Sequence, residues 1–150
     1  MVRVDYDVRI GRTPESVFSY ITRVETYAEW QRKGGIEKVT RVDDGPTRLG
    51  TRFSMQRRAQ GGKLATIDCE VTGFEPGRRF AFHSIDSDGF AGDFVTTLQP
   101  AAGGTDLHWA VDMRPPNLLY RLLSPVIARE IRRSADADFP ELKRTLEAKA

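Results

Sequence analysis

The sequence predicts an α+β fold: a curved, seven-stranded antiparallel sheet wrapped on a long C-terminal helix, with two short helices between the first and second strands. Three features lead there. Residues 2–10 alternate apolar and charged side chains. Residues 36–113 break into strand-length segments at regularly spaced turn sequences. Residues 118–146 repeat apolar side chains every three or four positions. The chain of 150 residues is the size of a single domain, 1–150.

The first strand puts Val4, Tyr6, Val8 and Ile10 on one face and Arg3, Asp5, Asp7 and Arg9 on the other. One face is therefore buried and the other wet. A helix start follows, with Thr13 as cap and Pro14 at the first helical position. Val17, Phe18, Ile21 and Val24 keep helical spacing. A second short helix spans about residues 25–30 and carries Tyr27 and Trp30; Gly34-Gly35 ends it. Strands are then expected at about 36–42, 50–60, 63–74, 78–85, 90–99 and 104–113. The turns between them are Asp43-Asp44-Gly45-Pro46, Gly61-Gly62, Glu75-Pro76-Gly77, Asp86-Ser87-Asp88-Gly89 and Pro100 to Gly104. Long strands joined by tight turns form a meander. The helical stretch begins with Leu118, Leu119, Leu122 and Leu123 and continues through Val126, Ile127, Ile131, Ala135, Phe139, Leu142 and Leu146. Ser124-Pro125 reads as a cap and first position that divides a short helix from a longer one. Pro140 lies inside the pattern and is expected to kink the long helix. Sheet and helix bury their apolar faces together, and a widely curled sheet leaves room for a cavity.

Charged residues make up 29% of the chain and hydrophobic residues 39%, a globular composition and not that of a disordered chain. No apolar run approaches the roughly 20 residues of a spanning helix. The N-terminal residues lack the apolar core of a signal peptide. The expected location is the cytoplasm, without stable membrane insertion. The 23 basic and 21 acidic residues leave a net charge of +2, which argues against a nucleic-acid partner. Cys69 is the single cysteine, and with two histidines it does not complete a tetrahedral zinc site. No metal or cofactor is expected.

The sequence contains no G-x-S-x-G, H-E-x-x-H or Walker A motif. In Asp86-Ser87-Asp88-Gly89 the glycine comes too early for a calcium loop and no glutamate closes it. The acid–base candidates are His83, Asp68, Glu70, Asp93 and Tyr6. Asp68 and Glu70 fall on the face opposite Cys69, the wet one. His83 and Asp93 lie on adjacent strands and read as an exposed pair. No catalytic residue is assigned. Arg129, Glu130, Arg132 and Arg133 read as a solvated helix face, and Asp136, Asp138 and Glu141 weigh against an anionic-membrane patch there.

Alternation assigns the concave face of the sheet. It takes Phe53, Met55, Arg57 and Ala59; Ala65, Ile67, Cys69 and Val71; Phe80, Phe82 and Ser84; Gly92, Phe94, Thr96 and Leu98; and Leu107, Trp109, Val111 and Met113. His83 and His108 then point outward. The opposite register for 78–85 would turn His83 inward with Ala81 and Ile85. Cys69 reads as a small core hydrophobe. Arg57 is the exception on this apolar face, since a buried guanidinium needs a partner. It either reaches water at a pocket mouth, or pairs with an internal acid or an anionic ligand group. A bulge at Ala59-Gln60-Gly61 would turn it outward instead.

The element order, together with Pro14-Glu15-Ser16-Val17-Phe18-Ser19-Tyr20-Ile21, Tyr27-Ala28-Glu29-Trp30, Asp44-Gly45-Pro46, Gly50-Thr51-Arg52-Phe53, Glu75-Pro76-Gly77-Arg78-Arg79-Phe80 and Gly103-Gly104-Thr105-Asp106-Leu107, resembles the SRPBCC superfamily. This is the START-like, Bet v 1-like helix-grip fold, and the resemblance is to its polyketide cyclase/dehydrase-like branch. The resemblance implies a hydrophobic pocket between sheet and helix that binds or carries a lipid-, sterol- or polyketide-like molecule, with Trp30 near its entrance. On that expectation the ligand-binding residues are Trp30, Phe53, Met55, Arg57, Ile67, Cys69, Val71, Phe80, Phe82, Phe94, Trp109, Val111, Met113, Ile131 and Phe139. Two other readings stand beside it. One is a cyclase/dehydratase-type enzyme using the same cavity, which a buried, perturbed His or Asp would favour. The other is an interaction module whose pocket is filled by its own Phe and Trp side chains. The expected partner is a small hydrophobic ligand, and the chain a monomer or homodimer.

Overall fold

The computed structural model describes residues 1–59 and 61–149. Strands β1 (Val2–Ile10), β2 (Ile36–Arg41), β3 (Arg52–Arg58), β4 (Leu64–Glu75), β5 (Arg79–Asp86), β6 (Ala91–Ala101) and β7 (Gly104–Arg114) form one sheet in the order β1-β7-β6-β5-β4-β3-β2. Every neighbouring pair is antiparallel. Helices α1 (Pro14–Ile21) and α2 (Tyr27–Trp30) lie between β1 and β2, joined through a 3-10 turn at Val24–Thr26. Helices α3 (Leu118–Leu122) and α4 (Ser124–Glu147) follow β7. This is the curved-sheet, helix-grip architecture, and α4 lies against β1 and α2.

The pairing settles which side chains face α4. Val71, Phe82, Phe94, Val111 and Val4 stand opposite one another in a row across five strands. Cross-strand partners share a face, so Phe80, Phe82 and Ser84 point inward and His83 points outward opposite Asp93. The ladder shifts at Ile36/Lys38 and at Val71/Gly73, where local irregularities help the sheet to curl. Arg57 stays in register between Ile36 and Ala65 and therefore faces inward. Gln60, within the bulge considered at 59–61, lies outside the described residues.

Thr13 caps α1: its Oγ1 accepts the Ser16 N–H at 3.2 Å. Ser124 does not cap α4. It is already helical, and its Oγ donates to the Arg121 carbonyl at 2.6 Å. With Leu123 alone between α3 and α4, no extended residue is available to hold a cap conformation, and the serine ties the two helices together instead.

The expected break at Pro140 does not divide the helix, which continues through it to Glu147. Leu142 and Leu146, beyond the proline, are 0% and 1% exposed, so packing of the apolar stripe holds the segment helical. Asp136, whose carbonyl loses its amide donor to the proline, is exposed to water. The stripe facing the sheet includes Ala135, Phe139, Leu142 and Leu146. Its supposed beginning does not pack there: Leu118, Leu119 and Leu122 are exposed. Among the described residues no helix is long and apolar enough to cross a membrane.

Candidate functional site: a cavity between sheet and helix

The sheet and α4 leave a cavity of about 130 Å³ between them. Six aromatic residues on its wall form a closed circuit of ring contacts. Trp30 meets Tyr27 at 5.5 Å between centroids, and Tyr27 meets Phe82 at 6.1 Å. Phe82 stacks on Phe94 at 4.8 Å, and Phe94 reaches Trp109 at 6.1 Å. Trp109 meets Phe139 at 5.4 Å, and Phe139 returns to Trp30 at 5.3 Å. Five elements of the fold build this belt. Alternation brings Phe82, Phe94 and Trp109 inward from β5, β6 and β7. Helical spacing puts Tyr27 and Trp30 on one face of α2. The apolar stripe of α4 supplies Phe139.

A polar corner interrupts the belt where α4 passes the loop after α2. Asp138 is 7% exposed, and its Oδ1 accepts the Gly34 N–H at 2.8 Å. Burial pushes its carboxyl up to about 7, against the opposing pull of that hydrogen bond and of the Arg57 charge. Arg57 donates from Nη2 to Ser134 Oγ at 3.1 Å and approaches Glu130 Oε1 at 3.9 Å. Trp30 Nε1 is buried and has no hydrogen-bond partner among the described residues. The site therefore offers an unpaired N–H donor and a carboxyl that is neutral or charged near neutral pH, set among aromatic walls. A wider recess of about 510 Å³ opens beside the cavity, with Phe90, Tyr120, Leu123 and Ile127 on its wall. Arg57, Met113 and Ile131 line both spaces and form the threshold between them.

Of the residues expected at a pocket, Trp30, Met55, Arg57, Phe82, Phe94, Trp109, Met113, Ile131 and Phe139 line the cavity. Phe53, Ile67, Cys69, Val71, Phe80 and Val111 lie on the same side of the sheet but off the cavity wall. The short helices cover part of that surface: Phe18 of α1 packs edge-on to Phe74 at 5.2 Å and Phe80 at 6.5 Å, and Tyr27 covers Phe53 at 6.4 Å. Trp30 is not at an entrance. It is 3% exposed and sits against Phe139, deep under α4.

Asp138 is not a surface acid, as its run of charged neighbours suggested. It stands three residues after Ala135 and four before Leu142, on the buried stripe, and that spacing was the available signal. Tyr27 and Ser134 also line the cavity without having been singled out. Cys69 is 5% exposed, and burial raises its thiol well above the ordinary range. His83 lies on the convex side, with Nδ1 2.8 Å from Asp93 Oδ1, and Arg114 holds the other carboxylate oxygen at 3.1 Å. Asp68 and Glu70 are exposed. Tyr6 stacks on Phe139 at 4.9 Å. Among the described residues no group of three or more His, Cys, Asp and Glu is placed to hold a metal ion.

The fold recurs in solved structures. A START superfamily protein from Mycobacterium smegmatis superposes with a TM-score of 0.79 at 13% identity, covering 99% of each chain. Ara h 8.0201 does so with a TM-score of 0.73 at 12% identity, covering 98% of each chain. DynU16, from the dynemicin biosynthetic locus, gives 0.71 at 18% identity over 98% of this chain and 48% of its own. Identities this low show the fold alone. No curated protein matches the sequence. A family model described as polyketide cyclase / dehydrase and lipid transport matches residues 1–147, a span that takes in the sheet, the short helices and the helix closing the cavity. The chain belongs to that family.

Proposed function

We propose that the protein binds a small apolar molecule that carries an aromatic or conjugated ring, with the ring lodged in the inner cavity and the remainder in the outer recess. The closed circuit of six aromatic side chains carries this reading. An inner volume of about 130 Å³ is close to the ~150 Å³ of an apolar cavity that takes up benzene. It is below the roughly 300–1,000 Å³ of pockets that engulf drug-sized ligands. The adjoining 510 Å³ recess gives a longer ligand its second compartment. Ring burial supplies affinity at roughly 25 cal/mol per Å², before ordering costs. The Trp30 N–H and the Asp138 carboxyl select a guest with a carbonyl or hydroxyl group at its leading end.

Native mass spectrometry of freshly purified protein, followed by organic extraction, tests this. The expected result is a co-purifying aromatic compound, or else saturable quenching of Trp30 and Trp109 fluorescence by aromatic ketones. Ala135→Phe, which fills the cavity, removes either signal. An empty protein with no saturable quenching overturns the reading.

Asp138 supports a second reading, the cyclase/dehydratase-type enzyme. A carboxyl titrating near neutral pH both gives and takes a proton readily, as carbon–carbon ring closure and loss of water from a poly-ketone require. Turnover of such a substrate that disappears in Asp138→Asn, while ligand binding survives, selects this reading over simple binding.

A further inference from the structure

We propose that α3 and the first turn of α4 form a docking surface for an anionic lipid bilayer, with Leu118, Leu119, Leu122, Leu123 and Val126 seated at the boundary of headgroups and acyl chains. These five are 67%, 67%, 72%, 42% and 57% exposed, and they are consecutive in the fold. The other exposed large hydrophobics (Met1, Val42, Leu49, Leu64 and Ile85) are scattered along the chain. A contiguous apolar patch of this kind marks an interaction site.

The patch is held in place. Asn117 Oδ1 accepts the Tyr120 N–H at 3.0 Å and caps α3. Tyr120 packs edge-on against Phe90 at 5.0 Å, pinning the inner side of α3 to the β5–β6 turn. The leucines stand on the outer side.

Charge identifies the occupant. Between Arg114 and Arg133 the sequence carries five arginines and one acid, Glu130. Among the described residues Arg121, Arg129 and Arg132 form no ion pair. The nearby acids are engaged: Asp88 pairs with Lys63 at 2.6 Å, Asp86 accepts the backbone N–H groups of Asp88 and Phe90, and Asp93 holds Arg114. Apolar side chains rimmed by arginine are the pattern of a helix that lies in an anionic membrane surface. A second copy of the chain is disfavoured, because a twofold contact would set this arginine-rich rim against itself. Asp138, which on sequence weighed against a membrane patch, is buried and faces the cavity. Tyr120, Leu123 and Val126 belong both to the docking region and to the wall of the outer recess, so docking brings the mouth of that recess to the bilayer.

Flotation of the full chain with phosphatidylcholine vesicles, with and without phosphatidylserine, tests the proposal without any cargo. A negative result therefore leaves the cavity reading standing. The expected result is binding that depends on phosphatidylserine and weakens with salt. Leu119→Ser/Leu122→Ser should reduce it by about tenfold or more, at unchanged thermal stability. Arg129→Gln/Arg132→Gln should reduce both the binding and its salt dependence. Equal flotation of the leucine double variant and the parent overturns the proposal, as does failure of the parent to bind anionic vesicles. Sedimentation showing a dimer that the leucine variant dissociates, with no vesicle binding, assigns the patch to a second copy and overturns it too.

Discussion

Asp138 gives the cavity a pH-dependent lining. An ordinary aspartate loses its proton near 3.8, whereas this one does so at about 7 in the folded chain. Between those values the folded state holds a proton that the unfolded state has released, so stability falls as pH rises through the interval. The full cost, about 4 kcal/mol, is reached above pH 7 and is absent below about pH 4. Urea denaturation of Asp138→Asn across that interval should show the decline removed. The variant should then be the more stable form above neutrality. Gly34 belongs to the same device. A Cβ at that position would collide with the Asp138 carboxylate. Gly34→Ala is therefore expected to displace the carboxylate from its N–H donor and cost about 1–3 kcal/mol, with a larger pH dependence, because that bond favours the charged form. The sequence shows Gly34 only as a helix stop. Its partner is 104 residues away, and no local pattern announces such a contact.

Among elements, α4 joins everything that encloses the cavity, and Phe139 is where it does so. That one ring stacks on Tyr6 of β1 and meets Trp109 of β7 and Trp30 of α2. Phe139→Ala should cost about 3–5 kcal/mol in chemical denaturation and enlarge the cavity. Leu122→Ala should stay within about 0.5 kcal/mol, although both residues sit in one apolar sequence pattern. Periodicity shows that a helix has an apolar face; it does not show what covers that face. For this reason the strands and their inward residues were legible from alternation, as with Phe82 and Phe94, while the α3 leucines were misplaced. Arg57 shows the same limit. Alternation located it correctly on the concave side, but Ser134 and Glu130 come from α4, and only the folded helix supplies them.

At the scale of the molecule, seven strands of matched turn spacing leave few alternatives to a meander, and the last apolar stripe has one concave surface to fill. The fold was legible for that reason. The cavity was less so, because its volume is the small difference between a curled sheet and the side chains that nearly fill it. Phe18 covers Phe80, Tyr27 covers Phe53, and what remains is the chamber ringed by Tyr27, Trp30, Phe82, Phe94, Trp109 and Phe139. A residue's inward direction was readable; whether a neighbour from α1 or α2 had already covered it was not.

The burial of Cys69 gives the protein a built-in clock. Its thiol is the only one in the chain, sits in register between Phe53 and Ser84, and is held from the reactive thiolate form by its surroundings. An alkylating reagent can reach it only when the centre of the sheet opens. The labelling rate therefore counts openings of β3, β4 and β5 one molecule at a time. Native protein should label roughly a thousandfold more slowly than urea-unfolded protein, and a guest in the cavity should slow it further in proportion to its occupancy. Equal rates in the two states would show that the sheet opens freely.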